Sequence, residues 1–170
     1  MYSNKNLVFL GMMGSGKSSI GFLISKKLNL QFIDIDNMIE EKAGLKISNI
    51  FKDKGESYFR NLEEKITLKV LKKSNIVISL GGGGFINEKI RNEVLNNDFS
   101  FWLDWDSEIL LQRIKNSEKR PIALNSSDQE IANLIKKRSK IYSKAEFKIN
   151  CNKLTKNEIV KKITKIYELN

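Results

Sequence analysis

The 170-residue sequence contains no histidine, a single cysteine and a single proline. Without histidine, the chain can hold neither a serine–histidine catalytic pair nor a histidine-bound metal, so any general base must be Asp, Glu, Lys or Tyr. The lone cysteine, Cys151, excludes an intramolecular disulfide and a cysteine zinc cluster. No apolar run is long enough to span a bilayer, and the N-terminus has no signal-like apolar segment. We therefore expect a cytoplasmic protein with no membrane partner.

Acidic residues are outnumbered, with 30 Lys and Arg against 20 Asp and Glu and a net charge of +10. Such an excess is typical of nucleic-acid-binding proteins, but also of lysine-rich surfaces around a site for anionic substrates. The lysines are scattered along predicted helices and become denser only toward the C-terminus. None of the usual nucleic-acid motifs occurs, so we favour the second interpretation and expect no nucleic-acid partner.

Apolar runs and helical patterns alternate along the chain, which predicts a single α/β domain over residues 1–170. Strands separated by helices require a parallel sheet with helices on both faces. The predicted strands cover residues 6–10, 30–34, 75–80, 99–103 and 147–150. Ligands bind such five-stranded parallel sheets at the carboxyl ends of the strands, so motifs at those ends are the candidates for function.

Helical periodicity and end signals fill the segments between these strands. The predicted helices cover residues 18–28, 37–42, 47–52, 56–73, 87–95, 107–114, 127–143 and the C-terminal segment from 155. Gly44 and Gly55 are predicted breaks. Asp106 is a predicted helix cap, and Ser127 and Thr155 each stand three residues before a glutamate, as in a capping box. The polar segment at about 115–126 holds the only proline and predicts a mobile loop.

Residues 11–18, Gly-Met-Met-Gly-Ser-Gly-Lys-Ser, match the phosphate-binding pattern G-x-x-x-x-G-K-[ST] between a predicted strand and a predicted helix. Its glycines let successive N–H groups face a phosphate chain, and the following helix adds its positive dipole end. Lys17 would neutralise the β- and γ-phosphates, and Ser18 would bind Mg²⁺. A dinucleotide fingerprint fits less well because its glycine spacing differs. The predicted phosphate-binding residues are Gly14, Ser15, Gly16, Lys17, Ser18 and Ser19.

Two acidic residues end the second predicted strand. Asp34 and Asp36 are two apart, so both carboxylates can face the cleft beside the phosphate loop. Asp36 could instead be a helix cap. Arg60 and Glu63 are neighbours on a predicted helix, a spacing that alone is most often a solvated surface pair.

Glycines and arginines supply two further candidates. A run of four glycines, residues 81–84, follows the third predicted strand, where it could let a ligand approach the backbone or form a plain loop. Arg120 lies in the polar loop and Arg138 on the next helix. Either arginine could belong to a binding site or to the charged surface.

Together these features resemble the shikimate kinase family, and the resemblance covers essentially the whole chain. The matching pieces are residues 11–18, D-I-D at 34–36, F-x-x-x-G-E-x-x-F-R-x-x-E at 51–63, G-G-G at 81–83, R-P at 120–121 and R-S-K-I-Y at 138–142. The resemblance implies a P-loop kinase of nucleoside-monophosphate-kinase-like architecture that moves the γ-phosphate of ATP to the 3-hydroxyl of shikimate with Mg²⁺. It also implies acceptor-binding helices at about 35–62 and a lid at about 115–126.

The resemblance also implies individual roles. Asp36 would bind the ring hydroxyls and orient, or deprotonate, the attacking one, with Lys17 and Arg120 as its catalytic partners on the phosphate. Asp34 would position Mg²⁺ with Ser18. The shikimate carboxylate would be held by Arg60, Arg138, Gly82 and Gly83, and the adenine would lie near Arg113. The walls of the acceptor pocket would be Ile47, Phe51, Phe59 and Glu63.

Two positions depart from the family pattern. Lys140 stands where the family often has a proline, and residues 150–152, Asn-Cys-Asn, stand where an Asp-Thr pair is common near the adenine.

Two other functions remain open from the residues alone. One is a P-loop kinase acting on gluconate or a nucleoside monophosphate, and the other is a basic nucleotide-binding or nucleic-acid-binding module without catalysis. We expect a monomer.

Overall fold

In the computed structural model, which describes residues 4–116 and 126–170, five parallel strands form one sheet. The strands are β1 Leu7–Leu10, β2 Gln31–Asp34, β3 Ile76–Ser79, β4 Phe99–Asp104 and β5 Phe147–Asn150. Their order in the sheet is β2-β3-β1-β4-β5, and every neighbouring pair is parallel. The predicted five-stranded parallel sheet is therefore confirmed.

Helices connect these strands. They are α1 Lys17–Leu28, α2 Ile35–Ala43, α3 Ile47–Leu71, α4 Glu88–Asn97, α5 Ser107–Lys115, α6 Asp128–Tyr142 and α7 Lys156–Glu168. A short 3₁₀ turn, Gly84–Ile86, precedes α4. Within the described residues, no helix is both long and apolar enough to cross a membrane.

Strand β1 shows why both faces of the sheet are covered. Successive side chains of a strand point to opposite faces. Val8 and Leu10 accordingly pack with apolar residues of α2 to α6, whereas Leu7 and Phe9 pack with those of α1 and α7. All four side chains are fully buried, which explains why this strand appears in the sequence as a continuous apolar run.

The helix starts follow the predicted capping signals with one exception. The two capping boxes, Ser127 with Glu130 and Thr155 with Glu158, are both confirmed at the starts of α6 and α7. Asp106 stands at the N-cap position of α5, but its side chain makes no capping hydrogen bond. Its carboxylate instead accepts from Nδ2 of Asn152 at 2.9 Å, so the predicted cap is wrong.

Helix α3 contains the predicted break at Gly55. The two predicted helices, 47–52 and 56–73, meet there in a kink with φ 81° and ψ 168°. Such a positive φ favours glycine, which has no Cβ to clash with the backbone. Across the kink, the rings of Phe51 and Phe59 lie 4.7 Å apart between centroids. Gly55 therefore lets the two halves of α3 present aromatic side chains to each other.

Three motifs follow strand ends at the carboxyl edge of the sheet. The phosphate loop follows β1, Asp34 is the last residue of β2, and the glycine run follows β3. Because β1 lies between β3 and β4, the chain order reverses across this strand. Such a reversal opens a crevice in which open α/β sheets bind ligands.

Candidate active site

A cleft of about 900 Å³ opens at this edge of the sheet. Its lining includes most of the residues that the sequence singled out: Gly14, Gly16, Lys17, Ser18, Ser19, Asp34, Asp36, Ile47, Phe51, Phe59, Arg60, Glu63, Gly82, Gly83 and Arg138. Met13, Asn37, Glu40, Lys46, Ser48 and Leu80 also line it, although no motif had assigned them a role. Segments far apart in the sequence therefore meet around a single hollow.

The phosphate loop forms one wall of the cleft. Nζ of Lys17 donates to the carbonyls of Gly11 and Met12, each at 3.0 Å, which holds the ammonium over the loop. Gly16 precedes α1 with a φ of 89°, and no described side chain caps the helix there. The first N–H groups of α1 and its positive dipole end are thus presented to an anion.

Ser18 and Asp34 bring two oxygen ligands together beside the loop. Oγ of Ser18 donates to Oδ2 of Asp34 at 2.5 Å and lies 3.5 Å from Oγ of Ser79. Hydroxyl and carboxylate oxygens suit Mg²⁺, which commonly takes one or two protein ligands and completes its shell with phosphate and water. The described residues include no cluster of three or more carboxylate or cysteine ligands arranged for a metal, so phosphate and water would have to complete the shell.

Helix α2 is capped by Asp34 rather than by Asp36. Oδ1 of Asp34 accepts from the N–H of Asn37 at 3.3 Å, while Asp36 lies in the first turn of α2 and lines the cleft. The alternative interpretation of Asp36 as a helix cap is therefore wrong. A Cβ added to Gly81 would lie 2.6 Å from Oδ1 of Asp36 and 2.7 Å from Oε1 of Glu63. Only glycine leaves room for two carboxylates at this point.

Arg60 and Glu63 form a partly buried ion pair. Nη1 of Arg60 donates to Oε2 of Glu63 at 2.7 Å, and its Nε and Nη2 donate to the more exposed Glu56 at 3.2 and 3.1 Å. Glu63 is only 2% exposed, so the interpretation of this pair as solvated surface is wrong. Burial raises the pKa of Glu63, although the nearby charges of Arg60 and Arg138 oppose that shift. Glu63 lines the cleft and also orients the Arg60 guanidinium.

The glycine run lies against both arginines of the cleft. The carbonyl of Gly82 accepts from Nη1 of Arg138 at 3.3 Å and from the hydroxyl of Tyr142 at 2.5 Å. A Cβ at Gly83 would clash with the guanidinium of Arg60. Burial raises the pKa of Tyr142 to about 12, so its hydroxyl stays protonated and donates. Tyr142 was not predicted as a site residue, although its spacing of four from Arg138 places both on one face of α6.

Two predicted nucleotide residues, Ser15 and Arg113, are not among the described residues that line the cleft. Arg113 instead lies beside the phosphate loop, where it stacks on Trp105 at 3.8 Å from the ring centroid. The hydroxyl of Ser15 is buried and has no hydrogen-bond partner among the described residues. Arg120 lies outside the described residues. Most of the predicted lid at 115–126 does so as well, because residues 117–125 are not described. Trp105 is a further residue that sequence motifs missed.

Known proteins match this chain along most of its length. The family model described as shikimate kinase matches residues 13–168. A shikimate kinase of Sulfurihydrogenibium sp. is 42% identical over 163 residues, which are 95% of this chain and 98% of that protein. A shikimate kinase of Aquifex aeolicus is 41% identical over 157 residues, 92% of each chain.

The chain belongs to the shikimate kinase family.

Solved structures of shikimate kinases agree with this membership. The crystal structure of the enzyme from Aquifex aeolicus has a TM-score of 0.86 at 40% identity and covers 96% of each chain. The shikimate kinase from Acinetobacter baumannii, in complex with shikimate, has a TM-score of 0.93 at 27% identity over 99% of this chain and 96% of that one. The predicted family, its fold and its kinase class are thereby confirmed.

More distant P-loop kinases share the fold alone with this shikimate kinase family member. A gluconokinase from Sinorhizobium meliloti has a TM-score of 0.59 at 16% identity, and a deoxyadenosine kinase from M. mycoides has 0.65 at 18%. These likenesses support the predicted nucleoside-monophosphate-kinase-like architecture. At such identity they carry no information about the acceptor.

Proposed function

We propose that this chain transfers the γ-phosphate of ATP to the 3-hydroxyl of shikimate, giving ADP and 3-phosphoshikimate, a step toward the aromatic amino acids. One observation carries the proposal. A phosphate cradle, two aspartates and two arginines from four separate segments line the same cleft. Phosphoryl transfer needs positioned reactants and neutralised charge more than covalent chemistry, and this cleft supplies both.

The nucleotide phosphates belong on the loop before α1. Lys17 would exchange its two backbone carbonyl partners for β- and γ-phosphate oxygens, while the N–H groups at the start of α1 bind the same anion. Ser18 and Asp34 would hold Mg²⁺. When bound there, the metal supplies positive charge to the phosphates and helps to orient the γ-phosphate.

The acceptor fits the opposite wall of the cleft. Shikimate carries one carboxylate and three hydroxyls, so it needs cations at one end and a hydrogen-bond acceptor at the other. Arg60 and Arg138, with the backbone of Gly82 and Gly83, would hold the carboxylate, because guanidinium groups bind carboxylates with paired charge-assisted hydrogen bonds. The rings of Phe51 and Phe59 would pack against the apolar part of the acceptor ring.

Asp36 would act on the reacting hydroxyl. Its carboxylate lines the cleft and can accept a hydrogen bond from the 3-hydroxyl, which orients the oxygen toward the γ-phosphorus. As the new O–P bond forms and the bond to the ADP oxygen breaks, the hydroxyl proton can pass to Asp36. Arg120, in the segment that the resemblance implies to be a lid, would neutralise the transferring phosphate, and closure of such a lid would exclude water.

A coupled assay of ADP release tests the activity. The purified chain is given ATP and Mg²⁺ with shikimate, gluconate, a nucleoside monophosphate or no acceptor. Of these acceptors, we expect only shikimate to support turnover, with formation of one phosphate ester at its 3-hydroxyl. Release of ADP with gluconate or the nucleotide at a comparable kcat/KM, or no dependence on shikimate, would reject the proposal.

The solution state follows from the same proposal. We infer a monomer that binds ATP and shikimate without nucleic acid, since all proposed ligands come from one chain. Sedimentation should give a mass near 19.6 kDa at assay concentrations. Salt-sensitive binding of oligonucleotides without turnover of shikimate would favour the rival binding module.

A further inference from the structure

Trp105 links two parts of the phosphate loop, although no sequence motif had singled it out. It directly follows β4, and its indole Nε1 donates to the carbonyl of Ser15 at 2.9 Å. The guanidinium of Arg113 lies over the same ring, and its Nη1 donates to the carbonyl of Gly14 at 3.4 Å. One side chain therefore reaches two consecutive carbonyls of the loop, one directly and one through Arg113.

The bond to Ser15 has a consequence for the next peptide N–H group. The C=O and N–H of one trans peptide point in opposite directions. A carbonyl of Ser15 that is held by Trp105 therefore turns the N–H of Gly16 away from the indole, and Gly16 lines the cleft. The N–H of Ser15 is already used inside the loop, where it donates to the carbonyl of Met12 at 3.1 Å. Trp105 thus fixes the orientation of a cleft-lining donor from outside the cleft.

Hydrogen bonds of the neighbouring residue Asp106 hold the loop that contains Trp105 in place. The N–H of Asp106 donates to Oδ1 of Asn152, and Nδ2 of Asn152 donates to Oδ1 of Asp106, both at 2.9 Å. This reciprocal pair ties the loop after β4 to the loop after β5. Asn152 belongs to the segment that departs from the family pattern, and here it braces the indole's own loop.

The Arg113 guanidinium presents a second flat surface. Trp105 lies against one face of this planar cation, while Arg113 as a whole is exposed. Guanidinium planes stack on aromatic rings, and a purine base offers such a ring. The resemblance already implies that the adenine lies near Arg113, so Trp105 would complete a layer of indole, guanidinium and purine.

We propose that Trp105 is a positioning residue for the nucleotide, acting through the Ser15 carbonyl on the phosphate loop and through Arg113 on the base. The inference rests on the proposed function, since ATP is the nucleotide concerned. The two contacts are separable. Trp105→Phe keeps an aromatic face for Arg113 but removes the N–H donor, whereas Trp105→Leu removes both.

Isothermal titration with two probes separates these contributions. The probes are a non-hydrolysable ATP analogue and inorganic tripolyphosphate, which carries phosphates but no base, each with Mg²⁺. We expect Trp105→Phe to weaken both probes about 2- to 10-fold, the usual effect of one lost hydrogen bond. Trp105→Leu should weaken the ATP analogue about 2- to 5-fold further but not the tripolyphosphate, because only the analogue has a base to stack.

Two controls decide between positioning and a general loss of structure. Shikimate affinity should stay within about 2-fold in both variants. Phe147→Leu, at the beginning of β5 and so at the end of the sheet away from the cleft, should leave nucleotide affinity unchanged. If Trp105→Leu does not fold, Trp105→Phe still carries the test of the loop contact.

The inference is overturned if Trp105→Phe binds both probes like the wild type, or if shikimate affinity falls as much as nucleotide affinity. Shikimate-dependent turnover by the wild type would in those cases leave the proposed function intact. A wild type that binds the ATP analogue but never phosphorylates shikimate would instead reject the proposed function, while selective weakening in the variants would still support Trp105.

Discussion

At the scale of single residues, the proposed function rests on a few side chains that line the cleft and on the contacts that hold them. Asp36, Arg60 and Arg138 were expected in one site from motif resemblance, and the structure places all three around one cleft. The burial of Glu63 and the contacts of Tyr142 and Trp105 with backbone carbonyls could not be predicted. These depend on contacts such as Tyr142 with Gly82, which are 60 positions apart in the chain.

Asp36→Asn tests the group that faces the acceptor hydroxyl. The amide keeps the shape of the side chain but cannot take a proton. We expect kcat to fall by about 10²- to 10⁴-fold, the usual contribution of a general base, with shikimate affinity changed much less. Steady-state kinetics and isothermal titration measure the two quantities. Turnover near that of the wild type would show that Asp36 is not a general base.

Arg60→Ala tests the acceptor's carboxylate clamp. Loss of a charge-assisted contact should cost about 1.5–3 kcal/mol of shikimate binding, a rise in KM of roughly 10- to 150-fold. The change also leaves Glu63 buried without its closest cation, so thermal stability should fall as well. Glu56→Ala is the matched control, because it removes the exposed partner of Arg60 and keeps the buried one. An unchanged KM for shikimate in Arg60→Ala would place Arg60 outside the clamp.

Tyr142→Phe tests the support of the glycine run. Removing the hydroxyl leaves the Gly82 carbonyl with Arg138 as its remaining side-chain donor among the described residues. We expect the KM for shikimate to rise about 2- to 10-fold while the KM for ATP stays unchanged. A purely structural role would lower stability without this selectivity, so equal changes in both constants would contradict the assignment.

At the scale of elements, local signals predicted what local interactions decide. The capping boxes before α6 and α7 and the break at Gly55 were each predicted from a few neighbouring residues. The start of α2 was not, because Asp34 both ends β2 and caps the helix, so no linker separates the two. The cap at Asp106 failed because Asn152, 46 residues away, takes its carboxylate. Errors therefore arise where a distant partner competes with a local one.

The amino ends of the strands are joined by a buried polar cluster that lies opposite the cleft. Asp98 accepts from the N–H and Nδ2 of Asn6 at 3.2 and 2.8 Å, and Oδ1 of Asn6 accepts from the N–H of Ile76 at 3.1 Å. The cluster therefore connects the beginnings of β1, β3 and β4. Burial raises the pKa of Asp98 to about 6, although hydrogen bonds from Asn6 oppose the shift. Glu93 adds to the rise and Lys5 opposes it.

This cluster predicts a pH dependence of stability. The folded pKa of Asp98 lies above the value of about 3.9 for an unfolded aspartate, so the folded state holds the proton more tightly. The resulting stabilisation is full below about pH 4 and is lost as the pH rises through about 6, a change on the order of 2–3 kcal/mol. Asp98→Asn keeps an oxygen acceptor for Asn6 but cannot ionise. As the pH rises from 4 to 7, the free energy of unfolding of Asp98→Asn should therefore increase relative to that of the wild type.

Urea unfolding at a series of pH values measures this difference. Asp53→Asn, on the exposed face of α3, controls for the loss of one negative charge. Parallel curves for Asp98→Asn and the wild type across this range would contradict the predicted role of Asp98.

At the scale of the whole molecule, the alternation of strands and helices was sufficient to predict a parallel sheet covered on both faces. The order β2-β3-β1-β4-β5 was not predicted, because periodicity does not specify which strands are neighbours. That order matters for function. It places β1 between β3 and β4 and so brings the phosphate loop beside the glycine run.

The central claim is that one cleft holds the acceptor's carboxylate and the terminal phosphate of the nucleotide together. A crystal structure with shikimate and a non-hydrolysable ATP analogue measures this directly. We predict the shikimate carboxylate within hydrogen-bond distance of Arg60 and Arg138, and the 3-hydroxyl between Asp36 and the γ-phosphate on the loop before α1. Shikimate bound elsewhere, or bound here with its carboxylate turned toward Asp36, would contradict the account.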